Sequence, residues 1–430
     1  MANFIFEEGS QIDASGFTGS DTLYFKTAAP SDVSVVYTAA AGLSTAKITL
    51  TVGTQSLDFA ASALSDGTIT FIAADGNLLI GQDDATDPDT LAINSSADSA
   101  AYGFAGNDTI TATGTGDHLV YGGAGNDSIT ATGSGNDNIY GDAGNDVLDG
   151  SGSAGNLNIF GGDGADTITG GTGNDHLYGQ SAAGGSDGAD IINGGAGSDY
   201  IQGNAGADTL NGGTGSDRIY GGADNDIIHG DAGDDTINGN KGDDTIFGDG
   251  GDDRLRGGAG NDNISGGDGN DVILGDLGDD TINGGTGADL LTGGDGDDVF
   301  VFAAGDAAKV TLGSGSSAQT YYDTITDFTV DSDLLKIENF DGGDVNVIHQ
   351  GAGVTLSTFA AAQTYAQGLL SAGGGAADSS IVAVQVGTDT YLFYDSDGEY
   401  ATTDTINSYI HLTGVTAADV TADSFVTAAV

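Results

Sequence analysis

Aspartate returns at every ninth position through the middle of this chain. From residue 185 to residue 301 the sequence divides into thirteen tandem units without a slip, among them GSDGADIIN, GGTGSDRIY, GDAGDDTIN and GGDGDDVFV. The sixth residue of each unit is Asp: Asp190, Asp199, Asp208, Asp217, Asp226, Asp235, Asp244, Asp253, Asp262, Asp271, Asp280, Asp289 and Asp298. A large aliphatic or aromatic residue follows two places later in every unit, from Ile192 to Phe300. Upstream the pattern continues less regularly, with clear units on Asp108, Asp127, Asp137, Asp146, Asp166 and Asp175 and a weaker one on Asp117. Some spacings there are ten, and insertions fall near residues 150–158 and 180–184. Short carboxylates set in glycine turns, beside carbonyls that no side chain covers, are a hard-oxygen donor set. Its chemistry is the binding of divalent cations, calcium before magnesium, because calcium accepts six to eight oxygens in loose geometry.

The spacing also dictates what must position these groups. The last part of a unit, such as Asp-Thr-Ile-Asn, reads as a short strand with one large residue inward and its neighbours outward. The Gly-Gly-x-Gly-x-Asp part reads as a turn. Two units make one turn of a flattened right-handed coil, so that units n and n+2 stack as neighbouring strands, about 4.8 Å apart. The expected fold is all-β: a right-handed parallel β-roll flanked by β-rich regions. Stacking gathers the strict aspartates into two columns, Asp190 to Asp298 in steps of eighteen and Asp199 to Asp289 likewise. Like charges held so close repel unless a counterion lies among them. One Ile or Leu per nine residues is a thin core against chain entropy and that repulsion. Folding and metal binding are therefore expected to be one event, with many calcium ions per chain.

Composition narrows the function class. Lys and Arg total 8 against 64 Asp and Glu, a net charge of −56. Only Glu7, Glu8, Glu338 and Glu399 are glutamates; the bias to Asp suits turns rather than a general acidic surface. Nucleic acid is excluded for want of cations to neutralise phosphates, and an anionic membrane surface on the same ground. Cysteine is absent, so no disulfide or thiolate chemistry is available. The opening MANFIFEE lacks the basic and apolar regions of a cleavable signal peptide, and no window is long and apolar enough for a transmembrane segment. Export is therefore expected to rely on a signal elsewhere in the chain. An acidic linker is the plain alternative for the repeats, but a linker has no reason to keep an apolar residue two places after each Asp.

Catalytic motifs do not emerge. None of His118, His176, His229, His349 and His411 begins His-Glu-x-x-His. The string Gly184-Gly185-Ser186-Asp187-Gly188 copies a nucleophile elbow by chance in a glycine-saturated region. Matches to Gly-x-Gly-x-x-Gly are products of the repeat, and no Gly-Lys-Ser/Thr exists. Asp395-Ser396-Asp397-Gly398-Glu399 reads as a lone calcium loop or a plain hairpin turn. His118, His176 and His229 read as surface or edge residues. Arg218, Arg254 and Arg256 read as outward residues that are solvated or locally paired with Asp. The chain is expected not to be an enzyme.

These residues resemble the RTX family, the glycine-rich nonapeptide repeat proteins exported by type I secretion; the nonapeptide is a known calcium-binding β-helix repeat. The resemblance covers about residues 100–303. It implies calcium held by the sixth-place Asp side chains with turn carbonyls completing the sphere, and a chain that leaves the cell unfolded through the type I export machinery. A second resemblance lies downstream. Residues 297–302, Tyr322-Asp323-Thr324-Ile325-Thr326-Asp327-Phe328, Asp333-Leu334-Leu335-Lys336-Ile337, residues 390–398 and residues 410–415 look like the region after the roll in serralysin-type proteins. That resemblance implies a cap and an uncleaved C-terminal export signal, here Ala422–Val430, acidic and then apolar. The zinc protease that precedes the roll in serralysins is missing, so its activity is not carried over.

The expected organisation is a β-rich anchoring or assembly domain over 1–98, a calcium-binding roll over 99–303, and a β-rich cap with the secretion signal over 304–430. The N-terminal strands are read at residues 34–38, 47–52, 68–72 and 77–80, and one helix at Ser357–Leu370. The expected function is a secreted structural protein of a Gram-negative cell surface or extracellular matrix, a surface-layer or filament subunit that self-associates. The alternative is a secreted adhesin or accessory protein whose N-terminal domain holds a ligand such as a cell-surface polysaccharide.

Overall fold

The computed structural model describes residues 3–6, 22–25, 33–38, 47–52, 55–60, 69–73, 76–81, 88–180, 187–302 and short stretches between 323 and 425. The chain divides into two compact units, Met1–Arg218 and Ile219–Val430.

In the first unit successive strands fall alternately into two parallel sheets. One contains Thr90–Ser95, Thr109–Gly114, Ser128–Gly133, Val147–Ser153, Thr167–Thr169, Ile191–Ala196 and Thr209–Thr214. The other contains Ser99–Ala105, His118–Ala124, Asn138–Ala143, Asn158–Asp163, His176–Tyr178 and Tyr200–Ala205. Each coil is thus two sequence units. Its register joins like to like: Leu91 lies beside Ile110, Ile110 beside Ile129 and Ile129 beside Leu148. That row packs inward, as does its counterpart Val120, Ile139, Ile159, Leu177 and Ile201. Parallel pairing already includes Thr90–Ser95, upstream of the place where the repeat first becomes regular.

The N-terminal part adds strands of other kinds. Val33–Thr38, Lys47–Val52 and Gln55–Ala60 form an antiparallel sheet. Ile69–Ala73 and Gly76–Ile80 form a hairpin whose second strand joins the coil beside Ser99–Ala105. The four strands expected from β-branched runs are present within a residue or two of their expected bounds; Gln55–Ala60 is an addition.

The second unit repeats the coil. Ile227–Ala232, Thr245–Gly250, Asn263–Asp268, Thr281–Thr286, Val299–Phe302 and Leu334–Ile337 form one parallel sheet. Thr236–Lys241, Arg254–Ala259, Val272–Leu277, Leu290–Asp295, Thr324–Ile325 and Ser408–Leu412 form the other. Beyond the repeats, antiparallel strands Ser380–Val386, Asp389–Tyr394 and Ser408–Leu412 take over. Val382, Val384, Tyr391 and Phe393 there pack on Ala362 and Ala366. Those two alanines are helical, one turn apart; the rest of the helix expected at Ser357–Leu370 lies outside the described residues, as does the loop 395–399.

Candidate cation-binding columns

Each of the nineteen sixth-place aspartates is buried. The turn places this residue where the chain enters a strand, and the register of eighteen or so residues sets it against its counterpart one coil away. Where the next column residue is again an aspartate, its backbone N–H donates to that residue's Oδ1 in the pairs that follow. The first unit has Asp108 to Asp127, Asp127 to Asp146, Asp146 to Asp166, Asp166 to Asp190 and Asp190 to Asp208, at 2.7–2.8 Å. A second column there joins Asp175 to Asp199 and Asp199 to Asp217, both at 2.7 Å. The second unit has Asp226 to Asp244, Asp244 to Asp262 and Asp262 to Asp280, at 2.8 Å, with Asp280 to Asp298 at 2.9 Å. Beside it run Asp235 to Asp253, Asp253 to Asp271 and Asp271 to Asp289, at 2.8–2.9 Å.

One oxygen of each accepting carboxylate is thereby used. The other is not, at twelve positions: Oδ2 of Asp108, Asp127, Asp146, Asp166, Asp190 and Asp199, and of Asp244, Asp253, Asp262, Asp271, Asp280 and Asp298, is buried with no hydrogen-bond donor. Buried polar atoms are rarely left so. Asp175 differs, since its Oδ2 accepts the Gly171 N–H at 2.7 Å.

The Oδ2 faces a cradle built from backbone. A methyl group added at Gly257 would stand 2.2 Å from Asp262 Oδ2 and 2.8 Å from the Gly275 carbonyl oxygen one coil on. At Gly266 the corresponding distances are 2.2 Å to Asp271 and 2.2 Å to the Gly284 carbonyl. The first glycine of the unit is therefore required by space rather than by dihedral angle, and a carboxylate oxygen and a carbonyl oxygen approach the same small volume. Among the described residues no three His, Cys, Asp or Glu side chains converge on one point. A cation here must draw on carbonyls as well as carboxylates. All these donors are hard oxygens, and they fit calcium.

Electrostatics agree with that fit. Burial pushes the carboxyl of Asp190 up to about 8, with like charge from Asp208 and Asp166 adding to it against the opposing backbone hydrogen bond. Burial likewise holds Asp127, Asp146, Asp199, Asp253 and Asp280 up to about 7. Asp166, Asp262, Asp271 and Asp298 reach about 6 for the same reason. A carboxylate that is costly to ionise in its folded place is one that a divalent cation would relieve.

Several residues escaped the sequence reading. Asp117 is not a sixth-place residue: it sits one place earlier, and His118 takes the column position, 1 % exposed rather than at the surface. The one-residue shift arises because the unit Thr113–Tyr121 carries His where nearly all others carry Asp, which leaves Asp117 as the nearest acidic match. Leu157 takes a column position too, its N–H donating to Asp175 Oδ1. Asp323 and Asp333 extend the columns at the far end, accepting the N–H groups of Asp289 and Asp298 at 3.1 and 3.2 Å. Their signal was present, since Ile325 and Leu335 follow two places later and are fully buried. His229 pairs with Asp249 at 2.9 Å, and Arg256 pairs with Asp276, both near the surface.

A further ladder had no counterpart in the sequence reading. The fifth-place Asn or Asp accepts, through its Oδ1, the N–H of the fifth-place residue one coil later. Examples are Asn126 to Asn107, Asn136 to Asp117 and Asn156 to Asn136 in the first unit, at 2.8–2.9 Å. Asp243 to Asn225, Asn261 to Asp243 and Asp279 to Asn261 do the same in the second, at 2.8–2.9 Å. This ladder is exposed and runs opposite to the buried one.

Comparison with known proteins places the coil. Residues 102–132, 113–148, 121–157, 151–182, 184–219, 211–246, 220–255, 247–282 and 274–306 match the RTX calcium-binding nonapeptide repeat in its four-copy form. No curated protein matches the chain. Two similar solved structures are repeat subunits of the Azotobacter vinelandii mannuronan C5-epimerase. The AlgE6R3 subunit is 26% identical, with 43% of this chain and 80% of that chain covered and a TM-score of 0.27. The AlgE6R2 subunit is 27% identical, with 40% and 86% covered and a TM-score of 0.25.

Proposed function

Since residues 102–306 are RTX calcium-binding nonapeptide repeats, which places the chain in that family, we propose that the sixth-place aspartates from Asp108 to Asp298 hold a series of calcium ions and that this binding folds the chain outside the cell. The carrying observation is the set of twelve buried carboxylate oxygens without donors, each set against glycine backbone. Bound calcium would supply the positive charge that a buried acidic column lacks. The chain's own contribution is to fix the carboxylates through their Oδ1 hydrogen bonds, to bring carbonyls beside them, and to exclude water with the Ile and Leu rows. Outside the cell, where RTX proteins of Gram-negative bacteria are typically found, the ion is abundant; inside, its scarcity would keep the chain extended for export. Far-UV circular dichroism of the chelated chain, titrated with Ca²⁺ and separately with Mg²⁺, tests this. A cooperative gain of β-structure with calcium alone is expected; an equally ordered chelated chain would overturn it.

At the finer level we read the protein as a structural component of the cell surface or matrix, a lattice or filament subunit. The division into an N-terminal region over 1–98, the coil, and a C-terminal region from 304 belongs to this reading. Support comes from the dominance of the coil and from the charge of −56, which calcium would offset both within and between copies. Negative-stain imaging should show sheets or fibres at high protein and calcium that a chelator dissolves. A strictly monomeric product under those conditions would count against the structural role and leave the calcium reading intact.

A further inference from the structure

His118 stands in a column of carboxylates. Its strand pairs in register with Ser99–Ala105, and its own N–H donates to Asp137 Oδ1 at 2.7 Å, as a column aspartate's would. Both His118 and Asp137 are nine-tenths buried or more. The ring's Nε2 lies 3.4 Å from the carbonyl oxygen of Thr113. A carbonyl can only accept, so the nitrogen facing it is the protonated one. The neutral ring then carries its lone pair on Nδ1, and Nδ1 is buried with no hydrogen-bond partner. Histidines that hold metals are arranged in this way, with one nitrogen donating to a backbone carbonyl and the other left to the ion. The Asp137 carboxylate is thus held directly against the His118 backbone.

Calcium is a poor partner for that nitrogen, since it takes oxygen ligands. An imidazole nitrogen beside a carboxylate suits zinc, cobalt or nickel. We propose that this one place in the coil takes a divalent transition-metal ion of the zinc class, with His118 Nδ1 and the Asp137 carboxylate as its side-chain ligands. The proposal rests on reading the columns as cation sites; it adds that they do not all select the same ion. Leu157, another substitution in the same column, offers no donor, so the column holds imidazole and apolar places as well as carboxylates.

The test uses the full chain saturated with Ca²⁺. Co²⁺ is added and followed by visible absorption, and Zn²⁺ by calorimetry, for the wild type, His118→Asp, His118→Ala and the surface control His229→Gln. Expected is a single tight site that excess calcium does not compete away, with nitrogen-ligated cobalt absorption, lost in both His118 variants and kept in His229→Gln. His118→Asp should take up one more calcium than the wild type when bound ions are counted after dialysis. Zinc and cobalt uptake that is unchanged in His118→Asp, or absent from the wild type, would overturn the proposal. Calcium-driven folding, followed by circular dichroism in the same samples, separates the two readings. If it fails, the columns are not calcium sites; if it holds while the cobalt signal is missing, only the assignment of His118 is wrong.

Discussion

At Asp262 two roles meet in one side chain: Oδ1 accepts a backbone N–H, and Oδ2, buried without a donor, is the oxygen proposed to meet a cation. They can be separated by substitution. Asp262→Asn keeps an acceptor for Asp244 N–H but removes the charge; Asp262→Ala removes both. The alanine variant should lose about 1.5–3 kcal/mol of stability in saturating calcium, the usual worth of a hydrogen bond to a charged group, with the lost ligation added to it. The asparagine variant should need more calcium to fold while unfolding less readily than alanine. Equal behaviour of the two in a calcium titration and a denaturant melt would mean that the charge has no part in folding. The sequence made this residue legible because Asp is nearly invariant at the sixth place. It did not reveal His118 and Leu157 as column residues, since a place in a stack is defined by register, and the ten-residue spacings upstream hide the register. Nor did it explain the second place of the unit. There Asp142, Asn204, Asp231, Asn240, Asp249 and Asp276 all adopt φ between +67° and +81°, a region that Asn and Asp enter more easily than other side chains.

At the scale of the strand, the outward rows differ between faces. Tyr102, Tyr121, Tyr140, Phe160 and Tyr178 stack in sequence with centroids 4.6–5.1 Å apart and planes within 11°. Their faces are consumed by one another, so the row stiffens the sheet rather than offering a platform for a ligand. Tyr140→Ala breaks two of these stacks and should cost about 1–3 kcal/mol beyond the lost burial, measured by chemical unfolding in excess calcium. The aspartate rows set a pH dependence. Their carboxyls are raised by burial to about 6–8 in the folded state, against an ordinary value near 4 in the unfolded chain. The folded state therefore binds more protons between those limits, and without metal its stability falls as pH rises through them. Chelated protein should be more ordered at about pH 5 than at about pH 8. With calcium present the order reverses in the titration: protons compete for the carboxylates, so the calcium midpoint should rise as pH falls. Circular dichroism at both pH values, with and without ion, checks both signs. The strands themselves were legible from the Asp-x-aliphatic pattern. The aromatic row was not, because ninth-place residues come together only once coils are aligned.

Over the whole molecule, the fold class followed from period, and the acidic balance from composition; what happens where the repeat stops did not. The coil does not end at the last strict unit. Asp323 and Asp333 take the N–H groups of Asp289 and Asp298, across sequence gaps of 34 and 35 residues where 18 is the rule. The double variant Asp323→Ala/Asp333→Ala should raise the calcium midpoint of the full chain and lower its melting temperature without touching a strict repeat. An unchanged titration would mean that the C-terminal segment does not close the coil. These two residues fell outside the counted repeat because an irregular insert resets the spacing, although each keeps the local signature of Asp followed two places later by a buried aliphatic.

The paired ladders have a mechanical corollary. Within each unit a carboxylate inside the coil takes its proton donor from the preceding layer, and on the rim an amide or acid takes it from the following one, so a layer that carries both is held by opposed clasps. The stack within each unit is fastened in this way, save at Leu157, which has no acceptor to offer the layer before it. Pulled from its ends, it would surrender one layer at a time, paying out about 60 Å of chain per eighteen residues, each release resisted by the same small set of bonds and by whatever ion sits between the layers.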